Sequence, residues 1–190
     1  MAKEERDVKI LAVVGMSGSG KSVAVDHLTS LGFPKVYFGG MILRGVEEMG
    51  WEINEENEKK FREHIRETEG KDWVVKQVIK DVHKLIEAGQ KRIVLDGVYS
   101  WTEYVTLKKE FPGEMIFVAL VLPKKLRYKR VATRPVRPLN HNEIMERDKA
   151  EIENLEKGGP IAAADYYILN DGTIEETNEK LDEILKEIEF

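Results

Sequence analysis

Two rhythms of apolar residues alternate along this chain. Unbroken apolar runs are the first, and they predict buried strands over 8–14, 35–38, 92–95, 115–122 and 166–169. Between them, apolar positions recur every three or four residues and predict helices. Lys21 to Leu31 reads as a helix ending at Gly32. Gly39-Gly40 is expected to break the second strand, and Met41 to Met49 to form a helix closed by Gly50. Residues 51–70 are polar, with helical character around Glu55 to Thr68. Asp72 to Ala88 carries Val74, Val75, Val78, Ile79, Val82, Leu85 and Ile86 on one helical face, with Gly89 as the residue after its end. Tyr99 to Phe111 reads as a helix before the turn Pro112-Gly113. Asn140 with Glu143 has the form of a capping box for a helix running to about Glu156 and ending at Gly158-Gly159-Pro160. Thr173 with Glu176 starts the last helix.

Strands that alternate with helices imply an α/β fold: a parallel sheet with helices on both faces. Ligands of such sheets sit beyond the carboxyl ends of the strands. Phe38-Gly39-Gly40, Asp96, the segment after Leu122 and Asn170-Asp171 should all lie on that edge.

So should the most informative stretch, Gly15-Met16-Ser17-Gly18-Ser19-Gly20-Lys21-Ser22. It has the form G-x-x-x-x-G-K-[ST], with a strand before it and a helix after it, the context that distinguishes a phosphate-binding P-loop from a plain glycine turn. Glycines let the backbone curl into a nest of inward N–H groups, and the helix start adds its positive end. Gly15, Ser17 to Gly20 and the first helical residues Lys21, Ser22 and Val23 are therefore the candidate phosphate cradle. Lys21 can reach the outer phosphates, and the Ser22 hydroxyl suits Mg²⁺. The loop predicts a nucleoside triphosphate and leaves the acceptor of any phosphoryl group open.

Ile93-Val94-Leu95-Asp96 is an apolar strand ending in a carboxylate. Beside a P-loop such an acid helps hold Mg²⁺; without that role it merely opens the turn at Gly97. Pro123 to Arg137 carries Lys124, Lys125, Arg127, Lys129, Arg130, Arg134 and Arg137 and no acid. Arg127, Arg130 and Arg134 share a helical face, so at least one is a candidate to stabilise charge on a transferring phosphoryl group; the lysines fit a solvated face. Arg44 could grip a second phosphate or be simply solvated. His27, His64, His83 and His141 lie in separate elements without ligand spacing. Trp51, Trp73 and Trp101 suit core packing or an aromatic acceptor pocket.

Bulk properties narrow the class. At 190 residues the chain is one domain, 42% hydrophobic and 34% charged. A net charge of −5 argues against a general nucleic-acid binder, and the basic segment lacks interleaved aromatics for stacking bases. The absence of cysteine removes disulfides, thiolate metal sites and cysteine nucleophiles. Met1 to Lys9 is charged and the apolar run after it is too short for a signal or membrane segment, so a cytoplasmic enzyme without membrane attachment is expected, as a monomer or homodimer. An ABC-type or AAA+ motor fits poorly, because the chain is short and has no L-S-G-G-Q-like signature, although an AAA label could attach through the P-loop alone.

Over nearly its whole length the chain resembles the P-loop nucleoside monophosphate kinase superfamily. Within it the likeness is to dephospho-CoA kinases and to archaeal adenylate-kinase-like proteins. Gly40-Met41-Ile42-Leu43-Arg44 is similar to an adenylate kinase segment whose arginine binds the acceptor phosphate. Leu95-Asp96-Gly97 resembles the L-D-G segment of these enzymes, Arg127 to Arg137 their lid, and Ala164-Asp165-Tyr166 with Ile168 to Gly172 the dephospho-CoA kinase segment near the adenine. Arg147-Asp148 fits the archaeal group. The resemblance implies a three-layer fold with five parallel strands in the order 2-3-1-4-5. It also implies a helical acceptor-binding insertion over 39–90 and an arginine-rich lid over 123–141. Its implied ligands are ATP and Mg²⁺, with Asn170, Asp171 and Gly172 near the base and Gly40, Arg44, Asp96 and Gly97 near the acceptor.

The chain departs from these relatives where the acceptor is handled. Their acidic residues after the second strand are replaced by Phe38, Gly40 and Met41, and Tyr99 and Ser100 stand where an arginine follows D-G. A hydroxyl acceptor would miss its usual base, whereas a phosphate acceptor is already anionic. The expectation is an ATP-dependent small-molecule phosphotransferase acting on a phosphorylated or nucleotide-like acceptor. The alternative is a regulatory P-loop protein that binds or slowly hydrolyses ATP.

Overall fold

The computed structural model describes residues 7–135 and 137–190, so Val136 of the basic segment and the first six residues of the charged start lie outside the described residues. Strands β1 (Lys9–Val14), β2 (Lys35–Tyr37), β3 (Arg92–Asp96), β4 (Met115–Val121) and β5 (Tyr166–Leu169) alternate with helices α1 (Lys21–Ser30), α2 (Phe38–Glu48), α3 (Glu55–Thr68), α4 (Trp73–Glu87), α5 (Trp101–Glu110), α6 (Lys124–Thr133), α7 (His141–Glu153), α8 (Gly158–Ala162) and α9 (Ile174–Glu187). The strands form one parallel five-stranded sheet in the order β2-β3-β1-β4-β5.

Side chains of a strand alternate between faces, so β1 feeds both layers. Ile10, Ala12 and Val14 join Ile93, Leu95 and Phe117 beneath Val75, Val78 and Val82 of α4 and Leu107 of α5. Leu11 and Val13 join Val94 and Val118 beneath Leu28 of α1 and Leu181 of α9. Each fully buried Leu, Ile or Phe contributes about 1.5–3 kcal/mol over its exposed state, and the two layers bury both faces of the sheet.

Local chemistry sets the helix ends. The α4 helix closes as expected at Gly89, whose φ is +89°. Its N–H reaches the Ile86 carbonyl at 2.9 Å and the next N–H, of Gln90, reaches that of Leu85 at 2.9 Å, a Schellman closure. Capping boxes start α5 at Ser100, α7 at Asn140 and α9 at Thr173.

Two boundaries differ from the sequence expectation. Gly39-Gly40 does not break the chain after β2 but lies in the first turn of α2. Phe38, the first residue of that helix, is 1% exposed, and a side chain at position 39 would meet the Tyr37 ring at 2.4 Å. Burial of the phenylalanine outweighs a cost of about 1 kcal/mol per helical glycine. Gly158-Gly159-Pro160 is likewise a short helix rather than a terminator, while α7 stops at Glu153. Pro160 falls in the first turn, where no backbone donor is needed, and Gly159 gives room to the Trp101 ring.

The register positions the chemistry. Asp96 is level with Val13 of β1 on one side and Tyr37 of β2 on the other. The carboxyl ends of β1, β2 and β3 therefore meet at one corner of the sheet edge.

Candidate active site

The loop after β1 is held in a shape that only glycine accommodates. Gly15, Gly18 and Gly20 have φ of +151°, +81° and +96°. A Cβ at Gly15 would stand 2.7 Å from the Leu120 carbonyl, and one at Gly18 would stand 2.3 Å from Val131 Cγ2. The Lys21 ammonium folds back over the loop and donates to the carbonyls of Gly15 at 2.7 Å and Met16 at 3.0 Å. Burial, reinforced by the neighbouring Lys157 ammonium, pulls the Lys21 pKa down to about 8, against the attraction of Glu151 and Asp96. Ser22 is exposed at the helix start, and Val23 is half-buried beside it.

The Asp96 carboxylate is half-buried, and this burial raises its pKa above the usual carboxylate range, opposed by Lys35 at 3.8 Å and by Lys21. Gly97, with φ +105°, turns the chain under the Tyr99 hydroxyl. Ser22 and Asp96 supply hard oxygen donors. A pair of protein oxygens completed by phosphate oxygens and water is the usual way Mg²⁺ is held. Among the described residues no group of three or more His, Cys, Asp or Glu is placed to hold a metal by itself. His27 pairs with Asp182 and His83 with Glu110, each in its own element.

From the other side, the loop is buttressed by β5 and α9. The Asn170 amide, 7% exposed, donates to the Ser19 carbonyl at 2.8 Å and its oxygen accepts from Thr177 Oγ1 at 2.8 Å. Asp171 and Gly172 are exposed beyond it.

The basic helix α6 packs on the loop rather than standing away from it. Arg127 is 7% exposed, donates to the Ser17 carbonyl at 3.0 Å, and forms a bidentate pair with Asp148 of α7. That pair and the Tyr128 hydroxyl keep the Asp148 pKa low, although burial opposes them. Arg130 donates to the carbonyls of Asn170 at 2.9 Å and Gly172 at 3.2 Å. Arg134 does not share their helical face as expected: as the residue before Pro135 it is extended, past the end of α6, and donates to the Arg137 carbonyl at 2.8 Å. The three arginines thus reach three different places, two of them on the P-loop and its β5 support.

Arg44 lines a separate cleft of about 620 Å³ between β2, α2 and α4, with Lys35, Tyr37, Gly40 and Asp81 among its walls. Its guanidinium is 2.5 Å from Asp81, which also takes Lys84 at 3.1 Å. Among the described residues no tryptophan lines this cleft. Trp73 packs edge-on against Phe61, and Trp101 stacks on Tyr104.

The chain is similar to known proteins in sequence and in fold. A family model described as an AAA domain matches residues 11–156. A UPF0200 protein of Thermococcus gammatolerans is 35% identical over 182 residues, which are 94% of this chain and 95% of that one. A UPF0200 protein of Sulfurisphaera tokodaii is 36% identical over 185 residues, 95% and 98% of the two chains. The chain belongs to the UPF0200 family. Its fold is that of P-loop kinases. A shikimate kinase from Bacteroides thetaiotaomicron superposes with a TM-score of 0.57 over 94% of this chain and 98% of that one, at 14% identity. A sugar kinase from a Janibacter species superposes with a TM-score of 0.58 over 94% and 95%, at 16% identity. Among the described residues no helix of this UPF0200 chain is long and apolar enough to cross a membrane.

Sequence reasoning missed one group beside the loop. Glu151 of α7 and Lys157, the residue that caps α8, are 3% and 6% exposed and lie 2.8 Å apart. The other Glu151 oxygen accepts the Ser17 N–H at 3.0 Å. Arg147, one turn earlier on α7, reaches the same carboxylate at 3.4 Å. Lys157 holds the Glu151 pKa low against burial, and burial pulls the Lys157 pKa below that of an ordinary lysine. Arg147 is marked in sequence by the Arg147-Asp148 pair, but nothing beyond the Arg147-Glu151 spacing, which any surface helix carries, points to Glu151, and nothing points to Lys157.

Proposed function

We propose that this chain is an ATP-dependent small-molecule phosphotransferase of the nucleoside monophosphate kinase or dephospho-CoA kinase type, passing the γ-phosphoryl group of ATP to a nucleotide-like acceptor. The supporting observation is a single corner of the sheet edge. It joins the glycine nest, the part-buried Lys21 ammonium and Asp96 to the mouth of the Arg44 cleft through β2 and Lys35.

In this reading the loop N–H groups and the start of α1 hold the donor polyphosphate, and Lys21 balances the charge of its outer part. Ser22 and Asp96 would hold Mg²⁺, which would supply neutralisation of phosphate charge. The helices between β2 and β3, residues 39–90, form the acceptor side, with Arg44 taking an acceptor phosphate once Asp81 shares it. The 123–141 segment acts as the lid; Arg130 and Arg134 are its candidates for the transferring group, and Arg127 braces the loop from beneath. Phe38 is buried and neither Gly40 nor Met41 carries a carboxylate, so an acceptor that is already anionic fits best.

The same absence of an acidic side chain favours a second reading, a regulatory protein that hydrolyses ATP without a small-molecule acceptor. ADP release measured with nucleoside monophosphates and dephospho-CoA separates the two. Stimulation by one acceptor supports the kinase. Hydrolysis that ignores every acceptor supports the switch.

A further inference from the structure

We infer that Lys157 is a second phosphate-contacting cation of the P-loop site, directed at the outermost phosphate of a bound triphosphate, and that Glu151 is the positioning residue that keeps it there. The inference rests on the reading that the loop takes a nucleoside triphosphate. It does not depend on which acceptor, if any, follows.

Position is the first argument. Lys157 sits between the two strand ends that carry the chemistry. Through Glu151 it is tied to the amide of Ser17, in the arch of the P-loop. On its other side the ammonium lies 4.6 Å from the ring centre of Tyr99, three residues after Asp96. The inner phosphates of a P-loop ligand lie on the helix start, while the loop lysine reaches the outer ones.

Charge is the second. Lys157 and Arg147 share the one carboxylate of Glu151 and Lys35 pairs with Asp96, while Glu103 and Asp26 are the further carboxylates of the region. A carboxylate divided between two cations leaves each of them N–H donors free for a polyanion. The geometry of Glu151 is the third. Its two oxygens already collect a loop N–H, an ammonium and a guanidinium, the donor types that an outer phosphate takes. An ammonium has three N–H donors and the ion pair engages one. A purely structural joint between α7 and the loop could be apolar, without the desolvation cost of a buried ion pair.

The test compares binding of Mg·ADP with that of a non-hydrolysable Mg·ATP analogue by calorimetry, in wild type, Lys157→Met, Glu151→Gln and the double variant. The double variant leaves no unpaired buried charge, so it folds even if Lys157→Met does not; thermal midpoints confirm folding. Lys157→Met and the double variant are expected to lose roughly 10- to 100-fold in affinity for the triphosphate analogue and less than about twofold for ADP. Glu151→Gln is expected to lose less, again for the triphosphate alone. Equal weakening of both nucleotides would make Lys157 a loop support and overturn the inference. So would an unchanged preference for triphosphate over diphosphate in the folded variants, or a wild-type protein that binds neither nucleotide. If the preference falls as expected while no acceptor is ever phosphorylated, the inference stands and the kinase reading fails.

Discussion

Replacing Asn170 by alanine should loosen the P-loop from behind. In the native protein the Asn170 amide is buried and donates to the Ser19 carbonyl at 2.8 Å. The Thr177 hydroxyl donates to Asn170 but also to the Thr173 carbonyl at 2.9 Å, so it keeps a partner in the variant. The orphaned group is therefore the Ser19 carbonyl, in a loop already committed to left-handed glycines. Leaving a buried carbonyl unpaired costs about 1–3 kcal/mol, and the lost contacts of the amide add to it. For a chain of this size each kcal/mol lowers the melting temperature by about 2–4 °C, so a fall of about 4–10 °C is expected. Asn170→Asp adds a control of sign. Its carboxylate would face the same carbonyl oxygen, which raises its pKa in the folded state. At pH 7 the variant should be at least as unstable as the alanine variant, and it should regain stability as pH falls and the protonated acid donates in place of the amide. Thermal denaturation followed by circular dichroism between pH 5 and pH 8 reads both effects. A drop of less than about 1 °C in both variants, with nucleotide affinity unchanged, would refute the claim that β5 holds the loop in shape.

Other perturbations follow from the same geometry. Gly18→Ala should cost about 1–3 kcal/mol and remove nucleotide binding, because φ is +81° and the new methyl would overlap Val131; adding Val131→Ala should restore only part of the stability, read by urea denaturation. Asp81→Asn releases Arg44, which is half exposed, so the stability change should stay below about 1 kcal/mol while affinity for an anionic acceptor rises. Arg44→Met should have the opposite effect, raising KM for the acceptor while leaving that for ATP alone. Lys21, with a pKa of about 8, is partly deprotonated in the free protein at that pH, and phosphate charge would restore its proton. Calorimetry in buffers of different ionisation enthalpy should show uptake of about half a proton per nucleotide near pH 8 and almost none at pH 6, with affinity falling above pH 8.

Much of the fold is legible in the sequence because buried parallel strands leave unbroken apolar runs. Met115 to Leu122 and Ile10 to Val14 need no further signal. The glycine nest is legible because its backbone admits few other residues. Gly39 and Gly159 mislead for a physical reason: each makes room for a neighbouring ring, and neither interrupts its helix. The arginines of α6 mislead differently. Their spacing shows a shared helical face but cannot show that Arg127 turns to Asp148 and the Ser17 carbonyl, since the partner carboxylate comes from α7. Glu151 and Lys157 are invisible for the same reason. What makes them part of the site is the packing of α7 and α8 against the loop, a tertiary contact with no local pattern.

The central claim is that the γ-phosphoryl group leaves ATP for a small acceptor rather than for water. The direct measurement follows the label from ATP marked at the γ-phosphate, in the presence of Mg²⁺ and of nucleoside monophosphates or dephospho-CoA, in wild type and Lys21→Ala. Label is expected in one acceptor, in step with ADP formed, and absent with the variant although it remains folded. Label found only as free phosphate with every acceptor, or full transfer by Lys21→Ala, would contradict the account.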